Sequence, residues 1–125
     1  MATVLVVDDN QFMRKKLKDI LEHNGYYVIG EAENGREAID IFEEHEPDLV
    51  TMDITMPLMD GIEATRAILR LDPSAKIVVI SAVGTKQMVY KAIKLGAKNF
   101  IVKPLTQDKV LSVIKKVQPP LHEFL

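Results

Sequence analysis

Five short apolar runs alternate along this chain with five segments of helical periodicity, and four of the five runs end in a polar residue. Residues 4–7 lead to Asp8, Asp9 and Asn10, and residues 49–52 lead to Asp53. Residues 77–80 lead to Ser81, and residues 99–102 lead to Lys103 and Pro104. Residues 26–32 form the remaining run. A strand that is apolar on both faces is a strand buried on both faces, the usual state in a parallel sheet. Between the runs, Met13, Leu17, Ile20 and Leu21 recur at helical spacing, as do Ala38, Ile39 and Phe42. Ile62, Ile68 and Leu71 mark a third helix, Met88, Val89, Ala92 and Ile93 a fourth, and Val110, Leu111, Ile114 and Val117 a fifth. Asn10 and Asn34 suit N-caps; Gly25, Pro47, Pro73, Gly96 and Pro119 stand where helices should stop. Strand and helix in strict alternation with short connections imply an α/β fold, a doubly wound five-stranded parallel sheet with helices on both sides.

The chain of 125 residues has a single-domain length, with 47% hydrophobic and 27% charged residues. Cysteine is absent, which excludes disulfides and thiolate metal sites. No apolar run is long enough for a membrane span and the start lacks a signal-peptide pattern, so a cytoplasmic protein without membrane association is expected. A net charge of −2 gives no general attraction to nucleic acid.

In a parallel sheet the tips carrying Asp8, Asp9, Asp53, Ser81 and Lys103 share one edge. Each could be a cap or a loop decoration, as Asp commonly is. Together they suggest more. Three close carboxylates repel unless a cation lies among them, and oxygen donors without His or Cys favour Mg2+. A lysine and a hydroxyl at the neighbouring tips suit a phosphoryl group, with one carboxylate as nucleophile. The turn after the first strand is acidic where a nucleotide site needs glycines, and no Gly-x-x-x-x-Gly-Lys-Ser/Thr occurs. A phosphohydrolase of the haloacid dehalogenase type would normally place a second Asp two positions after Asp53, where this chain has Thr55. His23, His45 and His122 lie in polar contexts and read as exposed.

These residues resemble the receiver domain of bacterial two-component response regulators, and most closely its stand-alone chemotaxis members. The resemblance covers roughly Val4 to Val117. It rests on Val-Asp-Asp at 7–9, Met-Asp-Ile-Thr-Met-Pro at 52–57, Asp-Gly at 60–61, Ser-Ala at 81–82 and Val-Lys-Pro at 102–104. It implies a flavodoxin-like sheet of order 2-1-3-4-5, which is that family's own known order. It further implies Asp53 as phosphoacceptor, and Mg2+ on Asp8, Asp9, Asp53 and the backbone carbonyl of Thr55. Ser81 and Lys103 would contact the phosphoryl oxygens, the peptide between Lys103 and Pro104 would be cis, and Phe100 would be the aromatic switch, acting by burial alone. Thr55 and Val83 would tune the lifetime of the phosphoryl group. The partners implied are a sensor histidine kinase or phosphotransfer protein and a downstream protein target, such as the flagellar motor switch. A monomeric switch protein that assists its own phosphorylation is expected, not an enzyme acting on external substrates. A phosphorelay intermediate and a receiver cut from a larger transcriptional regulator are the alternatives.

Residues 1–118 are read as the receiver and 119–125 as a tail outside it, with Leu121, Phe124 and Leu125 as a candidate docking segment. Phe12 falls opposite the core stripe of the first helix, with Lys16, Asp19 and His23, and is a candidate docking residue for the kinase side. Tyr90, with Lys86 and Lys94, is a candidate for the output surface. The basic run at 14–18 reads as a solvated face, with Lys15 and Lys18 pairing with Asp19 and Glu22.

Overall fold

The structure, a computed structural model, describes residues 1–56, 58–82 and 86–121. The expectations on Pro57, Val83, His122, Phe124 and Leu125 therefore lie outside the described residues. Ten elements follow one another in strict alternation: β1 (Ala2–Val7), α1 (Gln11–Glu22), β2 (Tyr26–Ala32), α2 (Gly35–His45), β3 (Leu49–Asp53), α3 (Gly61–Leu71), β4 (Ile77–Ser81), α4 (Lys86–Leu95), β5 (Asn99–Val102) and α5 (Gln107–Val117). All strand pairs are parallel, and the sheet order is β2-β1-β3-β4-β5. This is the expected α/β architecture.

The sheet separates two apolar layers because side chains alternate along each strand. Along β1, Leu5 and Val7 enter one layer with Phe42, Ile62, Ile68 and Ala92, from α2, α3 and α4. Val4 and Val6 enter the other with Leu17, Leu21, Val110 and Ile114, from α1 and α5. β3 and β4 are buried at every residue, as their apolar runs require. Each large aliphatic side chain buried this way contributes on the order of 1.5–3 kcal/mol.

Local chemistry sets the helix starts. Asn10 Oδ1 accepts from the N–H groups of Phe12 and Met13, and Asn34 Oδ1 from that of Glu37. Asp60 and Thr106 cap α3 and α5 in the same way. Two inward assignments fail. Leu71 is half exposed because α3 ends there, and Ile93 is partly exposed, at 39%, on α4. A helical stripe predicts direction but not whether a neighbouring layer extends far enough to cover it. The third correction concerns residues 14–18: Lys15, Lys16 and Lys18 keep solvent contact, but Arg14 is buried. Lys15 reaches Asp19 at 3.5 Å as expected, whereas Lys18 lies 3.8 Å from Glu31 of β2 instead of pairing along its own helix.

The tail begins as part of the domain. Gln118 is buried, its carbonyl accepts from the Tyr26 hydroxyl at 2.6 Å, and its side-chain oxygen accepts from Lys76 Nζ at 2.8 Å. Leu121 is exposed. Among the described residues no helix is long and apolar enough to cross a membrane.

Candidate functional site

The chain reverses its direction of winding after β2, so the connections leaving β1 and β3 lie on opposite faces of the sheet. A crevice opens at the carboxyl ends of those two strands, and open α/β sheets bind their ligands there, a rule that the resembled family itself illustrates. Asp8 and Asp9 follow β1 directly and Asp53 ends β3. Their carboxylate oxygens lie within 4.8 Å of one another, with Asp8 and Asp53 buried and Asp9 exposed.

Asp8 is held at every polar atom. Its N–H donates to the Ala32 carbonyl at 3.1 Å, its Oδ1 accepts from the Asn10 N–H at 2.8 Å, and its Oδ2 faces Lys103 Nζ at 3.3 Å. Its carbonyl accepts from Arg14 Nη1 at 2.6 Å. Lys103 Nζ also lies 3.7 Å from Asp53 Oδ2, so one ammonium serves two buried acids. The charge balance remains negative. Burial, followed by repulsion from Asp8, pushes the Asp53 carboxyl up to about 7; Lys103 and the Thr55 backbone N–H pull it down, and Asp9 pushes it up a little. A cation among the three acids would reverse that balance.

The neighbouring tips complete the site. Ser81 is buried, and among the described residues its hydroxyl has no hydrogen-bond partner. Its carbonyl accepts from the Lys103 N–H at 2.8 Å, which places β5's tip against β4's. The peptide between Lys103 and Pro104 is cis. Thr55 is exposed, and its N–H, not its carbonyl, is the group engaged with Asp53. Phe100 on the edge strand β5 is 41% exposed. Phe12 and Tyr90 are exposed at 81% and 64%, so Phe12 does not fold over a neighbouring loop; Lys94 Nζ stands 5.4 Å from the Tyr90 ring centroid.

Three residues support the site in ways their sequence context did not announce. Arg14 shares the inward stripe of Leu17 and Leu21 at spacings of three and seven, a signal that its charge obscured. Gly61 stood in the sequence as a chain break and half of the Asp-Gly motif; its N–H donates to the Ile54 carbonyl at 2.8 Å, and a Cβ there would collide with the Asp53 carbonyl. Lys109 Nζ donates to the carbonyls of Val102 and Pro104, on either side of Lys103. No local pattern announces that contact.

The donor set fits Mg2+: three carboxylates whose oxygens lie within 4.8 Å of one another, with no imidazole or thiolate among them. The orphaned Ser81 hydroxyl likewise fits a phosphoryl oxygen, since a buried unpaired hydroxyl is otherwise costly.

Comparison with known proteins bears on the same residues. The response regulator receiver domain profile matches residues 4–115. The chemotaxis protein CheY of Thermotoga maritima is 56% identical over 114 residues, covering 91% of this chain and 95% of its own length. The CheY of Bacillus subtilis is 55% identical over 113 residues, covering 90% and 94%. Among solved structures, the CheX-CheY-BeF3-Mg+2 complex from Borrelia burgdorferi superposes with a TM-score of 0.90 at 42% identity, over 93% of this chain and 88% of that one. This chain belongs to the response regulator receiver family and is CheY-like in sequence and fold.

Proposed function

We propose that this chain is a phosphorylation-dependent switch of chemotaxis signalling, with Asp53 as phosphoacceptor. The observation that carries this reading is the convergence of Asp8, Asp9, Asp53 and Lys103 at one sheet edge, with the unpaired Ser81 hydroxyl on the adjoining tip. Asp8, Asp9 and Asp53, with the Thr55 carbonyl, would hold Mg2+, which when bound supplies charge neutralisation for the incoming phosphoryl group. An Asp53 carboxylate oxygen attacks the phosphorus of a phosphohistidine on a kinase or phosphotransfer protein. The P–N bond breaks as the P–O bond forms, and the imidazole leaves with its electron pair. Lys103 and Ser81 then bond the phosphoryl oxygens.

The phosphoryl group would give the Ser81 hydroxyl a partner, and a shift of Ser81 toward it would couple to Phe100, 41% exposed on the neighbouring strand. Phe100 has no hydroxyl, so burial is its only signal. The surface around it is basic: residues 86–121 hold eight lysines against the single acid Asp108, whereas residues 1–82 hold sixteen acids against eight lysines and arginines. A downstream protein with an acidic docking segment suits that face, with Tyr90 as an apolar contact. Phe12, beside the acid cluster on α1, suits the phosphodonor. The relatives named chemotaxis protein CheY support chemotaxis as the pathway, within which the flagellar motor switch is the target proposed.

Incubating the full chain with acetyl phosphate and Mg2+ tests the reading. Stoichiometric label, lost in Asp53→Asn and on chelation, is the expected result. Multiple turnover on an external phosphate ester would instead place the chain among phosphohydrolases.

A further inference from the structure

Arg14 stands in a position that an amphipathic helix would give to an apolar residue. It shares the inward face of α1 with Leu17 and Leu21, and its side chain is only 10% exposed. Burying a guanidinium is unfavourable unless its donors are satisfied. Here Nε donates to Glu31 Oε1 at 3.3 Å, Nη2 lies 3.6 Å from Glu33 Oε1, and Nη1 donates to the Asp8 carbonyl at 2.6 Å. Glu31 and Glu33 are accessible to solvent, so an arginine could pair with them from outside the fold. Only the bond to Asp8 requires the buried position.

That bond acts on the peptide joining Asp8 to Asp9. The Asp9 carboxylate makes no hydrogen bond or ion pair among the described residues, so only its backbone is held in place. A peptide unit is planar, and holding the Asp8 carbonyl also orients the Asp9 N–H and places the Asp9 Cα, from which the side chain departs. We propose that Arg14 is a positioning residue for the cation site, holding the peptide between Asp8 and Asp9 in the orientation that lets both carboxylates reach one ion. Glu31 and Glu33 orient the guanidinium fork and neutralise its charge, so that the bond to Asp8 does not place a bare cation beside the metal. This rests on the reading of Asp8, Asp9 and Asp53 as the cation site.

Positioning and simple electrostatics predict opposite signs. Removing a nearby positive charge should tighten the binding of any divalent cation. Removing a positioning contact should weaken binding, and should weaken Mg2+ more than Ca2+, because Mg2+ demands near-octahedral geometry while Ca2+ accepts a looser oxygen shell.

The test is calorimetric titration of the full chain with MgCl2 and with CaCl2 separately, comparing wild type with Arg14→Met and Arg14→Lys. Loss of a supporting contact of this kind lowers metal affinity roughly 10-fold. Arg14→Met is expected to lose about that much for Mg2+ and less than about 2-fold for Ca2+, with Arg14→Lys between, since it keeps the charge but not the fork. In the metal-free protein the Asp9 backbone amide resonance should broaden in Arg14→Met. Tighter binding of both ions, or an unchanged ratio of Mg2+ to Ca2+ affinity, would overturn the proposal. Should Arg14→Met not fold, the ratio measured for Arg14→Lys decides by the same criterion. If wild type itself fails to bind Mg2+, the reading of the site fails, and that result is distinct from a failure of Arg14.

Discussion

Gly61 packs against the backbone carbonyl of Asp53 so closely that no Cβ fits between them. The first residue of α3 thereby fixes how far the β3 tip projects into the crevice, reinforced by the bond from its N–H to the Ile54 carbonyl. The contact is with backbone, which cannot rotate away as a side chain can. Gly61→Ala should cost about 1–3 kcal/mol in stability, the range for overpacking. It should also slow labelling of Asp53 by displacing it. Urea unfolding, together with acetyl phosphate labelling under conditions where the variant remains folded, checks both.

Among the described residues, Lys103 is the one cation shared by Asp8 and Asp53. In Lys103→Met the two acids lose their shield, and a divalent cation no longer competes with the ammonium. Mg2+ affinity should rise by roughly 2- to 10-fold, up to about 1.4 kcal/mol, while stable phosphoryl transfer is lost. Calorimetry and labelling on the same sample separate the two effects. A fall in Mg2+ affinity would contradict the assignment.

The carboxyl of Asp53 sets a pH dependence. Its folded value lies near 7, above the unfolded value, so between about pH 4 and 7 the folded state binds the extra proton. The metal-free protein therefore loses stability as pH rises through that window. Asp53→Asn should remove most of this loss and stabilise the metal-free protein near pH 8 by about 1–3 kcal/mol. Mg2+ should stabilise wild type more near pH 8 than near pH 5, because below about pH 7 it competes with the proton. Thermal unfolding with and without Mg2+ at the two pH values measures it.

Tyr26 anchors the end of the domain through its bond to the buried Gln118. Tyr26→Phe leaves that carbonyl unsatisfied, at a cost of about 1–3 kcal/mol. Hydrogen exchange at the end of α5 should speed up while phosphorylation stays unchanged, since the contact lies at the edge opposite the acid cluster.

The switch at Phe100 should be graded. Moving a population from 1:99 to 99:1 takes roughly 5.5 kcal/mol, and charge-assisted bonds at Ser81 and Lys103 contribute about 1.5–3 kcal/mol each. A phosphoryl analogue alone should shift Phe100 ring resonances partway, with a bound partner completing the change. An all-or-none shift without partner would contradict this.

Much of this architecture was legible because it rests on local rules. Two-faced apolar runs marked β3 and β4, helical spacing marked the packed faces, and Asn10 and Asn34 announced their caps. The acids of the crevice were legible too, since each terminates a strand and parallel strands share an edge. Leu71 and Ile93 misled because coverage depends on a neighbouring layer that periodicity does not describe.

The sequence by itself determined which strand each candidate site residue terminates, because period and punctuation act over a few residues. Tertiary structure alone decided how those residues are held. Arg14 is buried because the Asp8 carbonyl, Glu31 and Glu33 converge on it from β1 and from β2 and its end. Asp53 is pushed up to about 7 because the sheet buries it and brings Asp8 beside it from 45 residues away, while Lys103, 50 residues away, pulls it back only in part. Gly61 is required because a backbone carbonyl occupies the space a side chain would need. Burial, charge and close contact are sums over neighbours in space, and the sheet brings those neighbours together from distant parts of the chain.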